Sequence, residues 1–188
     1  MRCVIAIFVA AAPASAMVWG LGVAGGLGIP VGDYGDVVRV SAVVDGRAIF
    51  CLTPNLSLTA GVAYRLEHKP KDFEGAESAS YDVVPVLVGA NYRFEYLPCM
   101  PYAGGGAAVA VSRATVPAAA GTEEYKSTRL GAYAEGGMEY YVAENFGLDL
   151  RGRFMATSGG ASVKYDGELV EADNYLAFDL LIGLFFYP

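Results

Sequence analysis

The residues able to do chemistry in this 188-residue chain are carboxylates and arginines at even spacings. Glu135 and Glu139 lie four positions apart, Asp149, Arg151 and Arg153 follow at steps of two, and Arg65, Arg93 and Asp179 stand in similar surroundings elsewhere. These eight, four of each sign, could pair with one another, hold a plug of charge or line a path for a small solute. Catalysis asks for more: a base within hydrogen-bond reach of a nucleophile, and a third group to orient it. The single histidine, His68, lies in a polar stretch with Ser78 and Ser80. Nothing but proximity recommends that trio, and a solvated loop histidine is the simpler reading. Asp33 and Asp36 in GDYGD could touch a cation, but two carboxylates fall short of the roughly six to eight oxygens that Ca²⁺ takes. No catalytic, cofactor-binding or metal-binding residue is therefore assigned, and no cofactor is expected.

The elements that position the charges are clearest between Arg129 and Thr157, RLGAYAEGGMEYYVAENFGLDLRGRFMAT. Arg129, Glu135 and Glu139 share one parity, and Leu130, Ala132, Ala134, Met138, Tyr140 and Val142 share the other. After a break at Ala143 to Gly147, Asp149, Arg151 and Arg153 oppose Leu148, Leu150, Phe154 and Ala156. A period of two is the signature of a strand, whose successive side chains point to opposite faces. The break, with Asn145 and Gly147, reads as a short hairpin turn.

Residues 1–16 read as a signal peptide. Met1-Arg2 precedes an apolar run from Cys3 to Ala12, and Pro13-Ala14-Ser15-Ala16 supplies an Ala-x-Ala cleavage site. Residues 17–188 then form one domain. No later apolar run is long enough for a membrane-spanning helix, yet 54% of residues are hydrophobic and 18% charged, which is greasy for an exported soluble domain. A formal net charge of −7 argues against nucleic acid as a partner.

In chain order, strands are predicted at Val18 to Ile29, about Val37 to Leu52, Leu56 to Leu66, Tyr81 to Phe94 and Tyr102 to Arg113. The hairpin of Arg129 to Thr157 adds two, and Asn174 to Tyr187 is the eighth. In the first strand Trp19, Leu21, Val23, Leu27 and Ile29 oppose Gly20, Gly22, Gly26 and Gly28. In the second, Arg39, Asp45, Arg47 and Cys51 share a face, and alternation runs straight through Asp45-Gly46. In the last, Leu176, Phe178, Leu180, Ile182, Leu184 and Phe186 oppose Tyr175, Ala177, Asp179 and Gly183. Pro30 to Asp36, Glu67 to Ser80, Ala114 to Lys126 and Ser158 to Asp173 are predicted loops.

Which face lies inside decides the class. In the second, sixth and seventh strands every charge falls on one parity. Lys69, Lys71, Lys126 and Lys164 all fall in the predicted loops, whereas a soluble barrel would spread lysines over its outer face. Short turns alternate with long polar loops, as they do in outer-membrane barrels. Phe50, Tyr92, Phe94, Tyr96, Tyr102, Tyr140, Phe146 and Phe186 gather near the short-turn end as an aromatic belt. The fold expected is an all-β, eight-stranded, antiparallel up-and-down transmembrane barrel, whose interior side chains just fill.

The chain resembles the OmpA-like family of small outer-membrane β-barrels. The resemblance rests on Gly-x-Pro-x-Gly-Asp (Gly28 to Asp33), Pro101-Tyr102-x-Gly104-x-Gly106, Gly136-Gly137-Met138-Glu139-Tyr140 and an amphipathic last strand. It covers essentially all of 17–188. It implies an outer-membrane location, outer-membrane lipid, lipopolysaccharide and the assembly machinery as partners, and a monomer. The family's last strand usually ends on an aromatic that the assembly machinery reads, whereas here Tyr187-Pro188 follows Phe186. Enzymatic barrels of this size, the lipid A deacylases and palmitoyltransferases, use His with Ser and an acidic residue, which His68 does not match.

The expected role is a non-enzymatic, structural barrel that displays its loops, with Arg65, Arg93, Glu135, Glu139, Asp149, Arg151, Arg153 and Asp179 plugging the lumen. The alternative is an outer-membrane channel for a small solute or hydrophobic molecule. Cys51 and Cys99, both near the short-turn rim, are candidates for a disulfide.

Overall fold

A computed structural model of the chain describes residues 18–32, 35, 39–68, 80–94, 96, 98–118, 121–158, 162–165, 168–171 and 174–188. Its strands are β1 (Val18–Val31), β2 (Ser41–Cys51), β3 (Leu56–His68), β4 (Ser80–Arg93), β5 (Cys99–Ala118), β6 (Gly121–Ala143), β7 (Phe146–Ser158), β8 (Ser162–Tyr165), β9 (Glu168–Glu171) and β10 (Asn174–Phe186). Eight of them close into a barrel in the order β1-β10-β7-β6-β5-β4-β3-β2, while β8 and β9 form a separate hairpin. Every pair in the wall is antiparallel, β1 closing on β10 from Leu21 against Phe186 to Val31 against Leu176.

The period of two becomes an inside and an outside. β7 alternates through its length, with Asp149, Arg151 and Arg153 buried and Leu148, Leu150 and Phe154 exposed. The outer wall is apolar on every side: Leu21 and Val23, Val44, Val62, Val88, Leu130, Ile182 and Leu184 are all exposed, Leu130 by 68% and Ile182 by 64%. In water such a wall would forfeit about 25 cal/mol for each Å² left unburied. Lipid removes that cost, so the bilayer is the solvent this surface is built for.

The connections define two ends. Cys51 to Leu56, Arg93 to Cys99 and the Glu144-Asn145 turn mark the turn end, and the remaining connections mark the loop end. Phe50, Tyr92, Phe94, Tyr96, Tyr140, Phe146 and Phe186 point outward at the turn end, joined by Trp19, which pairs with Phe50. Rings with a polar tip suit that boundary between hydrocarbon and water. Gly32, which ends β1 with φ +64°, takes a backbone conformation that a Cβ would strain.

Several expectations are corrected. Tyr102 leaves the belt: it pairs in register with Arg93 and Gly137 and is 3% exposed, inside the lumen. Ala114 to Lys126 is no loop, because β5 and β6 continue as a ladder to Ala118 against Gly121. Its β-branched and aromatic residues favour extended chain, and above the apolar wall no face needs to be greasy, so the period that betrays a strand is missing. Lys126 is therefore a strand residue, as is Lys164 in β8, the hairpin found within the expected loop of Ser158 to Asp173. β2 starts at Ser41, leaving Arg39 exposed outside it. The five-residue break after Val142 shrinks to a two-residue turn, with Ala143 against Phe146 and a register shift between Tyr141 and Ala143. Asp33, Asp36, Lys69, Lys71, Ser78 and residues 1–17 lie outside the described residues.

The disulfide is also corrected: Cys51 and Cys99 are free thiols. Cys51 ends β2 and Cys99 starts β5, and β3 and β4 stand between them in the wall. Adjacent strands are about 4.8 Å apart, so three steps exceed the roughly 7 Å Cα limit for a disulfide.

Candidate functional site

The lumen is where the chain's polar chemistry converges. Each inward position is fixed by parity on a wall strand: Asp45 and Arg47 on β2, Arg65 on β3, Arg93 on β4, Glu135 and Glu139 on β6, Asp149, Arg151 and Arg153 on β7, and Asp179 on β10. All are buried, and the five arginines balance the five carboxylates. A guanidinium or carboxylate taken out of water is tolerable only if partnered. Here the partners come from across the barrel.

Towards the loop end the contacts are short. Arg151 and Arg153 donate to the two oxygens of Asp45 at 2.7 and 2.8 Å. Arg153 also donates to Oδ2 of Asp179 through Nε and Nη2 at 3.0 and 2.9 Å, and Arg65 donates to the same oxygen at 3.0 Å. Two aspartates thus knit three arginines together. Towards the turn end Arg47 stands among three carboxylates at 3.2 Å from Asp149, 3.4 Å from Glu139 and 3.9 Å from Glu135. Arg93 reaches Glu139 at 3.6 Å. Arg151 joins the two groups, lying 3.6 Å from Glu135 and 3.7 Å from Asp149.

Tyrosines complete the network. Three arginines each lie over a tyrosine ring and donate to its hydroxyl: Arg47 with Tyr102, Arg65 with Tyr175 and Arg93 with Tyr187, the guanidinium carbons 5.4, 5.1 and 5.1 Å from the ring centroids. The Tyr102 hydroxyl donates a hydrogen bond to Asp149 at 2.8 Å, and the Tyr187 hydroxyl donates to Glu139 at 3.2 Å. Asn91 donates to Glu135 at 2.7 Å. The ring of Tyr187 lies so close over Gly20 that a Cβ there would meet it at 2.5 Å. Ile49, Phe185 and Tyr187, with Tyr141 and Cys51 against them, cap the turn end with apolar surface. β10 and β4 are diametrically opposite in the strand order, so Tyr187 and Arg93 tie the rim across its full width.

The eight charged residues singled out from the sequence all lie in this network. Asp45 and Arg47, placed on the inward parity of β2 but not joined to the others, prove central to it. Tyr175 shares the parity of Asp179 in the sequence, but no tyrosine is joined to the charges there, and Tyr102 is read as a belt residue. His68 ends β3 with its backbone paired to Tyr81. Among the described residues no group of three or more His, Cys, Asp or Glu side chains could hold a metal ion.

No family model and no curated protein matches the chain. Solved structures do match its shape. Neisserial surface protein A shares 18% identity at TM-score 0.63, over 90% of this chain and 96% of that one. The outer membrane protein OprG of Pseudomonas aeruginosa shares 13% at 0.62, over 92% and 97%. A major outer membrane protein of Thermus thermophilus shares 13% at 0.62, over 93% and 100%. With a closed eight-stranded antiparallel wall, apolar outside and charged within, the chain has the fold of the small OmpA-like outer-membrane β-barrels.

Proposed function

We propose that the protein is a structural, non-enzymatic barrel of the outer membrane, closed by its own charges and presenting its loop end to the exterior. The observation that carries this reading is the continuous ion network, ten balanced charges linked from Arg93 at the turn rim to Arg65 near the loop end. A solute would have to displace paired, desolvated groups to pass, and removing one member of such a pair is far costlier than keeping both. The long β5–β6 hairpin stands beyond the apolar wall, where only the exterior can read it. Outer-membrane lipid, lipopolysaccharide and the assembly machinery are the partners this placement implies, with the barrel working as a monomer.

The second reading is a channel for a small solute. One observation favours it: ten charged side chains of both signs turn into the lumen, a polar file along which a small solute could pass. Refolding the mature chain into planar bilayers separates the readings. The structural reading expects insertion without steady single-channel current, and current appearing in an Asp45→Ala/Arg151→Ala variant. Steady wild-type conductance that changes with Glu139→Gln or Arg151→Ala would put the channel first.

A further inference from the structure

β6 outruns the wall on one side only. Its pairing with β7 stops at Gly131 against Thr157, while its ladder with β5 runs on to Gly121 against Ala118. Among the described residues nothing pairs with β6 above Gly131 on the β7 side, and the hairpin of β8 and β9 is a sheet of its own. Two contacts fix which backbone groups face that gap. Ser112 Oγ donates to Ser127 O at 3.3 Å, so the odd residues turn their amides and carbonyls to β5. Ser158 Oγ donates to Leu130 O at 3.0 Å, so the even ones turn theirs to the β7 side. Thr122, Glu124, Lys126 and Thr128 therefore present amide and carbonyl along an open edge of roughly 30 Å. Lipid tolerates no open edge, so this one begins where the hydrocarbon ends.

We propose that this edge of β6 docks an extended segment of another polypeptide, added as a further strand with an acidic side chain opposite Lys126. Its access rests on the loop end facing the exterior, as the proposed function has it. A row of amides and carbonyls at strand spacing is matched along its length by the backbone of another strand. The side chains name the partner's chemistry. Asp82, Arg113 and Lys126 lie in register across β4, β5 and β6, and Arg113 and Lys126 are exposed. The next place in that row belongs to the incoming strand, where an acid opposite Lys126 gains and a cation loses. Thr128 and Leu130, both exposed, offer the side-chain contact that β7 no longer supplies. A second copy is disfavoured. Barrels in one membrane carry β6 in the same direction, and the two-fold that brings their edges together sets Lys126 against Lys126.

Amide hydrogen exchange of the mature barrel in detergent micelles tests the site, with a short blocked peptide of alternating threonine and valine around one central glutamate as the probe. Without peptide, the amides of Lys126 and Thr128 exchange fast, and those of Ser127 and Arg129, held by β5, exchange slowly. With peptide, Lys126 and Thr128 become protected. Thr128→Pro removes an edge donor that β5 does not use, so it weakens the peptide about tenfold. Lys126→Glu shifts preference to the same peptide with lysine at its centre, and serves if the proline variant does not give the compact unboiled band of a folded barrel. Slow exchange at Lys126 and Thr128 without peptide, from cover by the chain itself or by a second copy, overturns the proposal. So does a peptide that protects neither amide, or one that binds the folded variants as it binds the wild type. None of these outcomes touches conductance, so the docking site can fail while the closed barrel stands.

Discussion

The two halves of the lumen network are built on opposite plans. On the loop side Arg65, Arg151 and Arg153 share Asp45 and Asp179, with contacts of 2.7 to 3.0 Å. On the turn side Glu135, Glu139 and Asp149 surround Arg47 and Arg93, and the ion contacts lengthen to between 3.2 and 3.9 Å. One half carries an extra positive charge and the other an extra negative one, so a balanced lumen is internally polarised. The halves also differ in how they tolerate damage. A carboxylate stranded by loss of its cation can be neutralised by a proton, whereas a guanidinium cannot shed one in a protein. The short contacts lie on the side where an error has no such remedy.

Asp179→Ala strikes the loop side hardest, because it removes the carboxylate that Arg65 and Arg153 share and leaves Arg153 to Asp45. Urea unfolding in micelles should show a loss of about 3–5 kcal/mol. Arg47→Met takes a shared cation from three carboxylates instead and should cost less, about 2 kcal/mol. A larger loss for Arg47→Met than for Asp179→Ala would erase the distinction between the halves. Tyr187→Phe keeps the ring over Gly20 and deletes only the hydroxyl shared by Arg93 and Glu139. About 1–2 kcal/mol is expected, read from the same transition. Cys51→Ala removes the sulfur that accepts from Arg93 at 3.2 Å. Sulfur is a weak acceptor, so the midpoint should move by less than about 0.5 kcal/mol.

The wall was legible in the sequence because lipid and lumen impose opposite chemistries on alternate residues. β7 states both in thirteen residues. Where one imposition lapses, the reading fails. Gly104 to Ala108 in β5 carries little side-chain contrast, so Tyr102 could be taken for a belt residue rather than the cross-lumen partner of Arg47 and Asp149. Above the membrane neither face of β5 and β6 is held to apolarity, and a ladder passed for a loop. The network's membership could be read from parity, but its wiring could not. Asp45 meets Arg151 and Arg153 across the barrel, a meeting set by strand tilt and stagger rather than by any local pattern.

That wiring also imposes an order on events. Arg65 and Asp179 are 114 residues apart, Asp45 and Arg153 are 108 apart, and Arg93 and Tyr187 are 94 apart. None of these pairs can form within a nascent hairpin, and two of the three need the last strand or the residue just beyond it. Contacts so distant in sequence make folding slow, since the entropy of closing the loop precedes any gain. The interior charges must therefore stay wet until β10 meets β1, and the dry network then forms together, as a latch on a finished circle.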